Sequence, residues 1–181
     1  RAFGTKLREL NLNDTVIAYD NRLSSPVLEI EVVKGLVESG INVKRLGLAT
    51  SPMCYFASNY YNINTYMMIT ASHNPSAYNG VKLIIKEGRD ADIETTEKLE
   101  MVIAQQKKIE CIDFDIAVET GKVEYLKNPF NDYIDDILAQ LDTNALKKKG
   151  LRVLFDSMHG SGTYPLLTLF YTVRCTIDTI N

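Results

Sequence analysis

Cysteine is scarce in this sequence. Cys54, Cys111 and Cys175 are odd in number, far apart, and form no Cys-x-x-Cys pair. A disulfide framework or a zinc ribbon needs paired cysteines, so three reduced thiols in a cytoplasmic protein are expected instead. No apolar run approaches the ~18 residues that a membrane helix requires, and no signal-peptide pattern is present. Cations are not in surplus: 20 Lys and Arg against 23 Asp and Glu leave a net charge of −3. That balance argues against nucleic acid held by bulk charge, while leaving room for a local basic pocket. No internal repeat or low-complexity tract occurs. The first residue is Arg rather than Met, so residues upstream of it are expected.

What remains is ordinary globular composition, 181 residues with 45% apolar and 24% charged side chains. That length accommodates one domain and part of a second. Residues 1–10 place Ala2, Phe3, Leu7 and Leu10 near helical spacing. Val16–Tyr19 reads as a buried strand, and Ser24 or Ser25 with Pro26 opens a helix whose inner face carries Val27, Ile30, Val33, Leu36 and Val37. The alternation repeats with a strand at Val43–Ala49, a helix from Thr50-Ser51-Pro52 to about Tyr61, strands at Thr65–Thr70 and Val81–Lys86, and a helix at Ile93–Lys108 with Leu99, Val102 and Ile103 inward. Short strand-like pieces lie around Ile112–Ile116, and Asn128-Pro129 starts a helix through about Leu141. After the polar break Lys147–Gly150 comes a strand at Leu151–Phe155, a Met158-His159-Gly160-Ser161-Gly162 turn, and a helix at Tyr164–Phe170. Strands alternating with amphipathic helices predict an α/β fold, a three-layer α/β/α sandwich on a mixed, mostly parallel sheet. The expected division is residues 1–149 for this domain and 150–181 for the start of a second α/β domain.

The stretch richest in chemistry is Thr70-Ala71-Ser72-His73-Asn74-Pro75, followed by Asn79-Gly80-Val81-Lys82. It directly follows a buried strand, where open α/β sheets place their ligands. It offers a hydroxyl, an imidazole and an ammonium, and Asn79-Gly80 favours a tight turn with positive φ that brings Lys82 back toward Ser72. Ser72-His73 does not form a hydrolase dyad, since no Gly-x-Ser-x-Gly elbow is present. A dinucleotide site is disfavoured for lack of a Gly-x-Gly-x-x-Gly after the first strand. His159 with Gly160-Ser161-Gly162 fits a strand-to-helix turn better than a phosphate cradle. Asp113/Asp115 and Asp135/Asp136 fit solvated faces, and Met53, Met67 and Met68 fit core positions.

The segment 70–75 with its Asn79-Gly80-x-Lys82 tail resembles the phosphoserine signature of the alpha-D-phosphohexomutases, a family of phosphoglucomutases, phosphomannomutases and phosphoglucosamine mutases. Asp20-x-Arg22-x-Ser24-Ser25-Pro26 resembles that family's strand-end arginine motif, and Leu151–Gly162 resembles the entry strand of its second domain. The resemblance spans nearly the whole chain. It implies that the chain is a piece of a four-domain protein, with the Mg²⁺ loop, the sugar-specificity loop and the phosphate-docking domain lying outside it. Phe3-Gly4-Thr5 lacks the Gly-x-Arg-Gly of the family's first loop and fits the first helix instead.

The resemblance implies that Ser72 carries a phosphate, donates it to a hexose 1- or 6-phosphate, and recovers the other phosphate of the bisphosphate intermediate. Lys82 is then acid/base or charge stabiliser, and Arg22 stabilises charge or orients the acid/base. His73 hydrogen-bonds substrate or loop, Asn74 helps hold the loop, and the Ser72 phosphate supplies one ligand to Mg²⁺. Tyr78 before Asn-Gly favours glucose or mannose over glucosamine. The expected partner is a hexose phosphate, with contacts to domains two to four of the same protein and none to nucleic acid or membrane; residues 1–181 are expected to be inactive on their own. A binding or regulatory module that kept the fold without turnover is the other class of function.

Overall fold

The apolar run at 16–19 becomes the centre of a sheet in a computed structural model of the chain, which describes residues 1–85, 90–105 and 110–180. In order, the first elements are α1 (Ala2–Glu9), β1 (Asp14–Tyr19), α2 (Ser25–Glu38), β2 (Asn42–Leu48), α3 (Ser51–Tyr60), β3 (Thr65–Ile69), β4 (Val81–Ile85), α4 (Ile93–Gln105), α5 (Phe114–Glu119) and β5 (Val123–Tyr125). The sheet runs β4-β3-β1-β2-β5. β1 pairs in parallel with β2 and β3, β2 with β5 likewise, and only β4 is antiparallel. β1 and β3 are buried along almost their whole length, which is why they read as continuous apolar runs rather than alternating ones.

The crossover through α2 moves one way from β1 to β2, and the crossover through α3 moves back past β1 to β3. Right-handed connections in opposite directions put the two helices on opposite faces. Ile17, Val43, Met67 and Val123 pack with Phe3, Leu7, Val33, Leu36, Leu99 and Ala117 in one core. Val16, Ala18 and Met68 are buried too, on the alternate face, where α3 packs against β1 and β3. The fold is therefore α/β, with helices over both faces of a mixed, mostly parallel sheet. Met53, Met67 and Met68 are all buried, as core positions should be.

The remaining elements are α6 (Pro129–Ala139), α7 (Thr143–Lys149), β6 (Arg152–Asp156), α8 (Thr163–Thr172) and β7 (Thr176–Ile180). β6 and β7 pair in parallel as a two-stranded sheet. The chain forms two compact units, Arg1–Leu126 and Lys127–Asn181, and α6 packs against α8 within the second.

Several sequence expectations shift. Residues 114–119 are helical, not strand-like, because Asp113 caps the helix by accepting from the Asp115 amide at 2.9 Å. The lysines at 147–149 end a helix rather than form a break: Asp142 accepts from the Ala145 amide, and Gly150 closes it at φ 58°. On α2, Val27 is 67% exposed. Val33, Leu36 and Val37 are buried as expected, and the buried face continues through Ser25 and Glu29, which are polar because they face polar partners. On α4 only Leu99 is buried, while Val102 and Ile103 are exposed. The expected ends at Lys86 and Lys108 lie outside the described residues.

Candidate active site

Connections leave β1 in opposite directions, and the C-terminal ends of strands at such a reversal are the usual ligand position in open α/β sheets. Both candidate segments emerge there, 20–25 after β1 and 70–80 after β3. The Asp20 amide bonds the Ile69 carbonyl at 3.0 Å, and the Thr70 amide bonds the Gly80 carbonyl at 2.9 Å. The 71–79 loop is thus tied at its base, with the exposed residues Ser72, His73 and Asn74 above it.

Asp20 is the node beneath this loop. Its Oδ1 accepts from the Arg22 amide at 3.1 Å and from Ser25 Oγ at 2.7 Å, and its Oδ2 accepts from Arg22 Nε at 3.2 Å and from Thr70 Oγ1 at 2.7 Å. Asp20 and Arg22 side chains are each 11% exposed. Buried charge is tolerated when its lone pairs are filled in this way. Thr70 Oγ1 in turn accepts from the Ser72 amide at 3.0 Å. Asn79 Nδ2 donates to Ser24 Oγ and Ser25 Oγ, both at 2.9 Å.

The guanidinium of Arg22 faces the loop backbone. Nη1 donates to the carbonyls of Pro75 at 2.9 Å and Tyr78 at 3.0 Å; Nη2 donates to those of Ser72 at 2.8 Å and Asn74 at 2.7 Å. Ser72 adopts φ 54°, a left-handed conformation that non-glycine residues adopt at a cost. Its Oγ lies 3.5 Å from His73 Nδ1, the outer limit of a hydrogen bond.

The expected positive φ at Asn79-Gly80 is not found: neither residue is left-handed, and Ser72 is. The Asn79 side chain is anchored on Ser24 and Ser25, so tertiary bonds, not the local Asn-Gly preference, set the turn. A Cβ on Gly80 would sit 3.1 Å from the Thr70 carbonyl, so the glycine serves close backbone approach.

The structure brings Arg22, Ser72, His73 and Asn74 into one cluster. Lys82 stands on β4 opposite Met68, exposed, beside a depression of about 190 Å³ also lined by Asp90 and Thr96. Among the described residues no hydrogen bond or ion pair joins Lys82 to Ser72 or Arg22. Sequence reasoning gave no site role to Asp20 or Thr70, read Ser25 only as a helix opener and assigned Asn79 only a turn; the available signal was small polar residues ending two adjacent buried strands. His159 and Met158 are consecutive left-handed residues, and the Gly160 amide bonds the Ser157 carbonyl at 2.8 Å, a tight turn before α8. The three cysteines are free, Cys54 buried and the others partly so.

Among the described residues no group of three or more His, Cys, Asp or Glu is placed to hold a metal ion, and the oxygens of Asp20 are already taken by Arg22, Ser25 and Thr70. The described residues do not by themselves make a magnesium site.

A protein-family model described as phosphoglucomutase/phosphomannomutase, alpha/beta/alpha domain I, matches residues 1–110. The chain belongs to this family. It is 31% identical over 186 residues to a phosphoglucomutase/phosphomannomutase of Thermococcus kodakarensis, covering 99% of this chain and 39% of that protein. It is 28% identical over 171 residues to a probable phosphoglucosamine mutase of Methanobrevibacter smithii, covering 94% of this chain and 37% of that protein. A crystal structure of a putative phosphomannomutase from Thermus thermophilus superposes with a TM-score of 0.81 at 25% identity, over 99% of this chain and 39% of that one. The chain thus spans less than two-fifths of the length of these relatives. Among the described residues no helix is long and apolar enough to cross a membrane.

Proposed function

We propose that the whole protein interconverts hexose 1-phosphates and hexose 6-phosphates, and that this chain supplies its phosphoryl-carrying serine. The observation that carries the reading is Ser72 itself: a hydroxyl exposed at the C-terminal end of β3, on a loop held by four bonds from one arginine that is itself paired with a carboxylate. Phosphate monoesters cleave extremely slowly without catalysis, so a carrier must be fixed against the incoming group.

In the forward step the sugar hydroxyl attacks phosphorus of the phosphoserine. The P–Oγ bond breaks, the hydroxyl proton passes to a base, and Ser72 Oγ regains a proton. In the return step Ser72 Oγ gives its proton to a base and attacks the other phosphate of the sugar bisphosphate, the P–O bond to the sugar breaks, and the sugar oxygen leaves protonated as a hydroxyl. Lys82, the exposed ammonium on the neighbouring strand, is our candidate for acid/base or charge stabilisation, and His73 and Asn74 for contacts to substrate. A phosphoserine adds ~−1.5 to −2 charges, for which Mg²⁺ is the matching hard cation. One phosphate oxygen on Ser72 would be its ligand here, and the others come from outside this chain. We place the reaction in the cytoplasm, where free thiols persist.

Glucose and mannose phosphates are the substrates we favour, on Tyr78 before Asn79-Gly80. Relatives named phosphoglucosamine mutases make glucosamine phosphate the second reading, and a non-catalytic module the third. The test is intact-mass analysis of the full-length protein after incubation with glucose 1,6-bisphosphate. One phosphoryl group on the Ser72 peptide is expected; an unmodified peptide together with no turnover supports the module. Ser72→Ala should lower kcat by about 10³-fold or more, and residues 1–181 alone should show no turnover.

A further inference from the structure

Arginine carries five N–H donors in a planar fork, and those of Arg22 meet five acceptors within the protein: the carbonyls of Ser72, Asn74, Pro75 and Tyr78, and Asp20 Oδ2. A guanidinium whose task was to neutralise a phosphate on Ser72 would keep donors turned toward Oγ. Here both Nη2 donors go to carbonyls instead, one of them that of Ser72 itself.

Ser72 is also where the loop departs from easy backbone geometry. Left-handed φ costs an L-residue about 1–2 kcal/mol, and such residues persist where the surroundings over-determine them. Asparagine holds four of the other left-handed positions, Asn11, Asn62, Asn64 and Asn128, and it tolerates that conformation through local side-chain bonds. Serine has less of that help. Its carbonyl is held by Arg22 at 2.8 Å and its amide by Thr70 Oγ1 at 3.0 Å. Both holders converge on one carboxylate, because Asp20 Oδ2 receives Arg22 Nε and the Thr70 hydroxyl. The two peptide groups flanking the Ser72 Cα are therefore fixed from a single buried anion.

We propose that Asp20 and Arg22 are a positioning pair: they hold Ser72 in its left-handed conformation by gripping the loop backbone, and Arg22 acts on carbonyls rather than on the transferring phosphate. The proposal rests on Ser72 as phosphoryl carrier, and it deepens that reading by separating the residues that aim the hydroxyl from those that meet the substrate. It distinguishes two roles for one cation. A phosphate contact is partly preserved by lysine, which keeps the charge. A clamp is not, because an ammonium has three donors from one point and cannot span four carbonyls. Asp20→Asn removes no ligand contact, yet it replaces an acceptor oxygen with an amide that faces the donors of Arg22, Ser25 or Thr70.

The experiment uses the full-length protein as wild type, Arg22→Lys, Asp20→Asn and the double variant. Hydrogen exchange is followed at the amides of residues 72–80, without phosphate on Ser72 and with it, alongside kcat and KM. Each single variant should lower kcat by about 100-fold, the scale of an ~1 Å misplacement, with KM moving less than about 3-fold. The double should be no worse than about 3-fold below the poorer single, because the two residues act as one unit. Exchange at Ser72 and Asn74 should accelerate in every variant already without phosphate, while amides of β1 and β3 stay protected. Unchanged exchange at 72–80 in Arg22→Lys overturns the proposal, as does multiplication of the two single effects or a rise in KM with kcat intact. If Asp20→Asn unfolds the sheet, seen as lost protection in β1, Arg22→Lys alone decides. Wild type that never takes phosphate on Ser72 refutes the carrier reading instead, and the exchange result still judges the clamp.

Discussion

Two arginines at neighbouring strands of the sheet, Arg22 after β1 and Arg45 within β2, solve different problems with the same side chain. Arg45 pairs through Nε at 2.6 Å and Nη2 at 2.5 Å with Glu29, which is fully buried on α2. Its Nη1 donates to the Tyr125 hydroxyl at 2.6 Å, and its guanidinium lies over the rings of Phe114 and Tyr125. The hydrogen bond to Glu29 is the largest cause raising the Arg45 pKa above its ordinary value. Every partner is a side chain of a regular element, and the effect is to tie α2, α5 and β5 to β2. The Arg22 guanidinium gives only one bond to its carboxylate and spends the rest on carbonyls of an exposed loop. One arginine locks layers together; the other holds a shape that the loop would not keep alone. The Arg22 guanidinium makes five hydrogen bonds and that of Arg45 three, but the sharper difference is what each one holds.

The largest effect that tests this contrast is on stability. Arg45→Met leaves the Glu29 carboxylate buried without its partner and should cost about 3–5 kcal/mol, read by native-state hydrogen exchange at the β1 and β2 amides of the full-length protein. Adding Glu29→Leu removes the stranded charge and should restore most of that loss; a double variant as unstable as the single would show that the pair does more than balance itself. Arg22→Lys should change the same amides by about 1 kcal/mol or less, because water reaches the loop carbonyls it abandons, while turnover falls as described above. A large global loss there would erase the distinction between the two arginines.

The smallest effect is a pH slope that neither arginine should alter. Burial raises the thiol of Cys54 well above its ordinary 9.0, and burial chiefly raises the Tyr66 phenol above its ordinary 10.0. The folded state keeps these protons where the unfolded state releases them. Stability is thus fully present below the ordinary values and declines as pH rises past 9.0 and then 10.0. Cys54→Ala should make the decline shallower and Arg45→Met should leave its slope unchanged, as measured by denaturant midpoints across alkaline buffers. Equal slopes in wild type and Cys54→Ala would mean that the thiol is not as sealed as its burial indicates.

Much of this was legible before any coordinates. The strands β1, β2 and β3 and the helices α2 and α3 follow from apolar runs, and for α3 also from Thr50, which accepts from the Met53 amide at 3.3 Å. The short helix at 114–119 was not legible, because six residues carry little periodicity and the decisive signal was one Asp cap. Nor was the exposure of Val102 and Ile103, since an amphipathic pattern shows which residues share a face but not how much of that face meets a neighbour. At the site, the motif at 70–82 drew attention to Ser72, His73, Asn74 and Lys82, and the motif at 20–26 to Arg22. Their separation into a clamped cluster and an outlying Lys82 follows from pairing and register that no local pattern encodes.

The order of residues by itself determined the alternation of strands and helices, the position of the reactive loop after a buried strand, and the chemical groups that loop offers. Those are consequences of spacing and side-chain type along a continuous chain. Only the tertiary structure decided that Ser72, rather than Asn79 or Gly80, takes the left-handed backbone, and that Arg22 reaches four carbonyls 50 to 56 residues away in sequence to keep it so. A backbone conformation that is locally unfavourable has to be stabilised from outside its own segment, and proximity of that kind arises only when β1 and β3 lie side by side.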